Sequence, residues 1–341
     1  MSTDYRFLKA CRREKVDTTP VWLMRQAGRY MAEYRAVRSK VTFLELCKSP
    51  ELCTEVSLQP IDILGVDAAI LFSDILVPIE PMGMKLDFNP SPVFESPIRT
   101  KADVDALRVI DPYEDVPYVI ETVKMLRREL DGRVPLIGFS GAPFTLASYM
   151  VEGGGSKNFQ KLKTMMYGAP EVYKALMDKI TETVILYLRA QQDAGAQALQ
   201  IFDTWGGILA PGDYKEYVLP YTKRVIDGIR SPLVPVINFV GNSQGLMPLV
   251  AQSGGDVIGV DWRIEIDEAR RQVGMDKAVQ GNLDPIALLA PIPEIERRVK
   301  EIIEKAGETG LIFNLGHGIV PETPVENVKA LVEFVHKYGA R

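Results

Sequence analysis

Two arginines four residues apart, Arg25 and Arg29, enclose Gln26, Ala27 and Gly28 in the stretch LMRQAGRYMAEYR. The stretch follows PVWLM, an apolar run of the kind that becomes a buried strand. Arginine rarely sits in an apolar setting without a partner. On a helical turn the i and i+4 positions share a face. Two guanidinium forks aimed at one spot make a bidentate receptor for carboxylate or phosphate. Gly28 between them allows close backbone approach. The plainer reading is a solvated surface helix with its ion pairs.

Four further positions carry chemistry. Asp74, in LFSDILVP, is either a turn or N-cap aspartate or an ionised acid at a strand end. In the second case it could accept substrate N–H groups or stabilise a developing cation. Tyr149 precedes the run Gly153-Gly154-Gly155 and reads either as a helix aromatic or as a site residue. The glycine run lacks the spacing of a nucleotide phosphate loop. Thr204, after Asp203 in IFDTWGG, has a capping role as its alternative. His317 stands between Gly316 and Gly318, where a structural role is the alternative, and His336 falls in a helical pattern as a packing residue. The two histidines lack metal-ligand spacing, and His317 is remote in sequence from every cysteine, so no metal site is expected.

The elements that must hold these residues can be read from apolar periodicity. Short runs rich in Val, Ile, Leu and Phe recur at 20–24, 67–72, 134–139, 196–202, 233–239, 256–260, 277–282 and 310–315. Each is too short for a lone helix and carries few charges, as strands buried on both faces do. Helix-period segments lie between them, and the alternation implies a parallel sheet. Eight strand candidates point to an α/β fold of the (β/α)8 TIM-barrel type, with a doubly wound open sheet as competitor. No composition break divides residues 1–341, so a single domain is expected. In a barrel, function sits where strands end. Those positions hold Arg25, Ser73-Asp74, Ser140, Asp203-Thr204, Gly241-Asn242, Asp261-Trp262, Asn282 and His317.

Composition narrows the classes. Hydrophobic content of 46% and charged content of 25% suit an ordinary globular protein. A formal charge of -5 argues against general nucleic-acid binding but leaves room for a locally basic cleft. Cys11, Cys47 and Cys53 form no CxxC pair, which fits a reducing compartment. The charged start shows no secretory signal, and no apolar stretch is long enough to span a membrane. A cytoplasmic location is expected.

PVWLMRQAGRYMAEYRAVR and GFSGAPFTLASYMVEGGGSKNF closely resemble the two signature segments of the uroporphyrinogen decarboxylase family, and the likeness continues through LQIFDTWGGILAP and FNLGHGIVPETP. The resemblance implies a single-domain barrel that works as a homodimer, without metal or organic cofactor. It implies removal of carbon dioxide from the four acetate side chains of uroporphyrinogen III to give coproporphyrinogen III. Carried over by position, Arg25, Gln26, Ala27, Gly28 and Arg29 form the substrate-binding run. Asp74 matches the aspartate that meets the pyrrole N–H groups, and Tyr149, Thr204 and His317 match further substrate contacts. Arg25, Arg29 and Asp74 carry the catalytic assignment. Departing carbon dioxide leaves an electron pair behind. A protonated, iminium-like pyrrole can take it, and an ionised Asp74 would stabilise that cation. Arginine, with a pKa above about 12, is a poor general acid, so the proton donor stays open.

Two other functions compete. A zinc- or corrinoid-dependent methyltransferase shares such a barrel, but it binds zinc through cysteines in the C-terminal half, and no cysteine here lies beyond Cys53. A non-catalytic tetrapyrrole carrier would use the same binding residues and is separated from the enzyme by turnover alone.

Overall fold

A computed structural model describes residues 4–88 and 91–341. Its strands are β1 (Ala69–Ile70), β2 (Leu86–Phe88), β3 (Pro92–Phe94), β4 (Leu136–Gly141), β5 (Ala198–Asp203), β6 (Val236–Val240), β7 (Val257–Gly259), β8 (Ala278–Leu283) and β9 (Leu311–Leu315). Seven of them form one parallel sheet in the order β1-β4-β5-β6-β7-β8-β9, and β2 and β3 pair as a separate antiparallel hairpin. Each sheet strand follows its neighbour in sequence, with helices between, as parallel crossovers require. Every residue of β4, β6, β7, β8 and β9 is buried, which explains their unbroken apolar runs.

Seven of the eight apolar stretches thus become sheet strands. The first, 20–24, makes only an isolated parallel bridge, Val21 to Phe313. Its backbone is still tied on both sides. The Phe313 N–H donates to Pro20 O at 2.8 Å, and the Asp67 N–H donates to Val21 O at 2.7 Å. The sheet curls around a small inner core. Each of β4 to β9 contributes to it (Ile137, Ala198, Ile237 and Phe239, Val257, Ala278 and Ile312), together with Trp22 and Phe7. The helix Arg6–Cys11 supplies Phe7. Trp22 Nε1 donates to Gln280 Oε1 at 2.9 Å, so the buried indole is satisfied inside the curl.

Helices cover the outside, and local sequence sets their starts. Proline opens the helices Pro117–Glu129, Pro143–Glu152 and Pro170–Asp193, where its missing N–H costs nothing. Gly153, at φ 86°, ends the second in a left-handed conformation. At one end of the sheet, Asp67 joins three segments. It accepts from the Val21 N–H and from Arg6, and its Oδ2 lies 2.8 Å from His336 Nε2. His336 is therefore a tie between the C-terminal helix Val325–Gly339 and the sheet.

Candidate active site

The segment Arg25–Arg29 is a turn. The helix expected to carry the pair begins only at Ala32, so a shared helical face does not relate the two arginines. Arg25 adopts φ 62°, and a Cβ on Gly28 would lie 3.0 Å from Arg25 O. Close packing of the turn on itself favours glycine there. Both arginines are exposed and neither makes an ion pair among the described residues, so the ion-paired surface helix is not what forms. The Gln26 side chain points inward. It donates to Ala68 O at 3.1 Å and accepts from the Leu23 N–H at 3.1 Å. Tyr30 Oη donates to Gln26 O at 2.6 Å, which fixes the turn from below.

Asp74 lies four residues past β1. Its Oδ1 accepts from the Leu76 N–H at 2.9 Å, so the turn-capping role is real. Its other oxygen carries no hydrogen bond among the described residues, and the carboxylate borders two adjoining cavities. Ser57 holds the approach to it, accepting from the Phe72 N–H at 3.0 Å while donating to Cys53 O at 2.7 Å. Burial pushes the Asp74 carboxyl up, while the Leu76 N–H and the Arg25 charge pull it down.

Two adjoining cavities meet at Arg25, Ala27 and Asp74. The first, ≈ 440 Å³, is lined by Gln26, Tyr149, Thr204 and His317, with Phe139, Phe202 and Phe239 as apolar wall. The second, ≈ 530 Å³, is lined by Gly28 and Arg29 and by Arg38. All nine residues nominated from the sequence therefore border one cleft. Tyr149 stands near the end of the helix Pro143–Glu152, and burial pushes its phenol up. His317 follows β9 within the motif GHG. Burial, and then the Arg25 charge, push its imidazole down to about 4, with Asp261 opposing. It is neutral at neutral pH and can donate or accept a hydrogen bond, but it carries no proton to spare.

Other strand-end residues stand away from both cavities. Ser140, Asn242, Asp261 and Asn282 line neither cavity. Asp261 accepts from the Asn242 and Arg263 N–H groups, and Asn282 Nδ2 donates to Asp261 O and Ile264 O. The first cavity opens on β1, β4, β5 and β6, through Ile70, Phe139, Phe202 and Phe239, and on His317 and Gly318 after β9. The sequence reading missed Arg38, whose guanidinium donates to Val41 O. A fourth arginine, three residues beyond GRYMAEYR, was the available signal. It also missed the hairpin, which brings Phe88 and Pro92 to both cavities. Phe88 packs edge-on against Phe43 at 4.9 Å, and Phe43 meets Phe72 at 6.2 Å, so an aromatic row links hairpin to cleft floor.

Among the described residues, no three His, Cys, Asp or Glu side chains gather as a metal ion would need, and Cys11, Cys47 and Cys53 are buried free thiols. No helix among them is long and apolar enough to cross a membrane.

The cleft is basic at its mouth, apolar on its walls and has one carboxylate at its centre. Among solved structures, a methyltransferase from Methanosarcina mazei superposes with TM-score 0.83 at 23% identity, covering 98% of both chains. A B12-independent methionine synthase from Shewanella sp. W3-18-1 gives 0.59 at 13% identity, covering 87% of this chain and 91% of that one. At such identities the likeness concerns the fold alone. Sequence relatives are far nearer. Uroporphyrinogen decarboxylase of Geobacter metallireducens is 62% identical over 337 residues, 98% of this chain and 99% of that one. The enzyme of Geotalea uraniireducens is 63% identical over the same shares. The family model for uroporphyrinogen decarboxylase (URO-D) matches residues 2–338. With near-complete coverage by both, the chain belongs to the uroporphyrinogen decarboxylase family.

Proposed function

We propose that this chain removes carbon dioxide from the four acetate side chains of uroporphyrinogen III, giving coproporphyrinogen III in porphyrin biosynthesis. The observation that carries the reading is the Asp74 carboxylate oxygen that accepts nothing among the described residues, set between an apolar wall and Arg25 and Arg29, which make no ion pair among them. A porphyrinogen has the complementary layout, with N–H groups at the centre, apolar rings around them and carboxylates at the rim.

In this reading Arg25 and Arg29 take rim carboxylates through charge-assisted hydrogen bonds. Backbone along Gln26–Gly28 borders the same carboxylates. Tyr149, Thr204 and neutral His317 are substrate contacts, and Asp74 accepts the pyrrole N–H groups. Each turnover adds a proton to the pyrrole ring, giving a cationic sink. The electron pair of the C–CO2 bond flows into the ring as carbon dioxide leaves. A second proton completes the methyl group while the ring proton departs. The ionised Asp74 carboxylate stabilises the cation and does so best when water is excluded. Electron flow into the substrate's own ring requires no metal or organic cofactor.

We further propose that the sheet closes as an eight-membered barrel through segment 20–24, supported by its hydrogen bonds to Phe313 and Asp67. Residues 1–341 then form one domain, and the family resemblance supports a cytosolic homodimer. The deciding experiment for function is anaerobic incubation with uroporphyrinogen and separation of products by carboxylate number. Stepwise loss down to coproporphyrinogen is expected. Tight binding without turnover would make the chain a carrier instead.

A further inference from the structure

β5 ends at Asp203, and the next residues, Thr204 to Gly207, turn beside the cleft. Asp203 is fully buried at 0% exposure, and its Oδ2 lies beneath the Gly206 backbone without completing a hydrogen bond. Its Oδ1 accepts from Thr145 Oγ1 at 2.7 Å. A threonine hydroxyl has one proton, and here Asp203 takes it. The oxygen still has lone pairs, and it accepts the Trp205 N–H at 3.2 Å. One buried hydroxyl therefore connects the strand end to the turn that follows it.

The rest of the turn has little freedom. The Gly207 N–H donates to Gly241 O at 3.1 Å, and the Gly241 N–H donates to Asp203 O at 3.0 Å. A Cβ on Gly206 would lie 2.5 Å from Asp203 Oδ2 and 2.9 Å from Val240 Cγ1. So arranged, the turn delivers two groups to the cleft: Thr204 and Trp205. The Trp205 ring meets Tyr149 at 6.3 Å and Phe159 at 5.1 Å between centroids. Tyr149 lies one helical turn beyond Thr145 on the same helix, so the hydroxyl ties both sides of this contact together. Thr145 itself lines neither cavity.

We propose that Thr145, clamped between Asp203 and the Trp205 amide, is a positioning residue: it sets the turn that presents Thr204 and Trp205 to the tetrapyrrole. The proposal rests on the function proposed above, and its test carries a readout that needs no substrate. Three variants decide it: Thr145→Val removes the hydroxyl at nearly constant shape, Thr145→Ser restores it without the methyl, and Gly206→Ala displaces the turn sterically. Steady-state kinetics on uroporphyrinogen are measured together with Trp205 emission, isolated by subtracting the spectrum of Trp205→Phe. Thr145→Val and Gly206→Ala are expected to raise KM about tenfold or more while kcat stays within roughly threefold, the pattern of lost binding. Both should shift Trp205 emission to the red, and Thr145→Ser should restore both readouts to near wild type. Should Thr145→Val fail to fold, Gly206→Ala against Thr145→Ser decides the matter. Unchanged emission and KM in the displaced variants, or a Ser variant with the defects of the Val variant, overturns the proposal. If no variant, wild type included, turns over uroporphyrinogen, the functional reading fails while the emission series still reports on the clamp.

Discussion

The Arg25 side chain lies directly on the backbone of Gly318: a Cβ at Gly318 would sit 2.9 Å from Arg25 Nε. The Arg25 guanidinium is thus seated by the glycine that follows His317. Motifs at opposite ends of the chain build one feature.

Gly318→Ala is expected to displace the Arg25 fork and lower kcat/KM by roughly 10- to 100-fold, since a shift of about 1 Å can cost that much. The thermal midpoint should move little, because Arg25 is exposed and unpaired among the described residues. Full activity in this variant would show that the arginine can act from another rotamer.

Asp74→Asn keeps one acceptor oxygen, removes the charge and presents an N–H group toward the pyrrole N–H groups. If the carboxylate stabilises the cationic ring, kcat falls by about 10²–10³. The loss should slow every one of the four decarboxylations, because each ring passes through the same cation. Slowing confined to the first step would make Asp74 a positioning residue.

His317 is expected to stay neutral down to about pH 5, because burial and Arg25 hold its imidazole near 4. The chain has two histidines, so NMR can follow His317 against His336. Its ring signals should be flat between pH 8 and pH 5.5, and His317→Asn should leave the shape of the kcat/KM profile unchanged over that range. A midpoint near 6.5 that disappears in the variant would make His317 a candidate proton donor.

Asp203 titrates at about 7 in the fold, raised by burial against the Thr145 hydrogen bond, and near 3.9 when unfolded. The folded state therefore holds a proton that the unfolded chain has lost between those values. Stability from this group is fully present below about pH 4 and is lost as pH rises through 7. Between pH 5 and pH 8 the loss is about 2–3 kcal/mol. Urea unfolding at both pH values should show wild type losing that much more stability than Asp203→Asn, whose amide does not titrate.

Arg29→Lys keeps the charge but loses the planar fork. Because Arg29 borders the cleft from an exposed turn, the change should raise KM with little loss of stability. Wild-type kcat/KM would show that only net charge matters there.

The amino-acid sequence alone was enough for seven strands of the parallel sheet and for residues that border the cleft. Short unbroken apolar runs such as VPLIGF and GLIFNL, spaced between helix-period segments, read as strands buried on both faces, and Arg25, Asp74, Thr204 and His317 follow such runs. Tertiary structure decided what periodicity does not encode. The i, i+4 spacing of Arg25 and Arg29 suggested a helical face, but the turn is set by Gln26 reaching Ala68 O and by Gly28 packing on Arg25 O. Stretch 20–24 looked like any other strand, yet its pairing reduces to one bridge because Asp67 side-chain and backbone groups take the hydrogen bonds on one side. Asp261 and Asn282 had the same credentials as Asp74, being polar residues at strand ends. Only packing shows that both Asp261 oxygens and the Asn282 amide nitrogen already have partners, while one Asp74 oxygen accepts nothing among the described residues. A hydrogen bond between residues far apart in the chain leaves no periodic trace, so which polar groups are satisfied, and which remain for a ligand, is settled only when the elements meet.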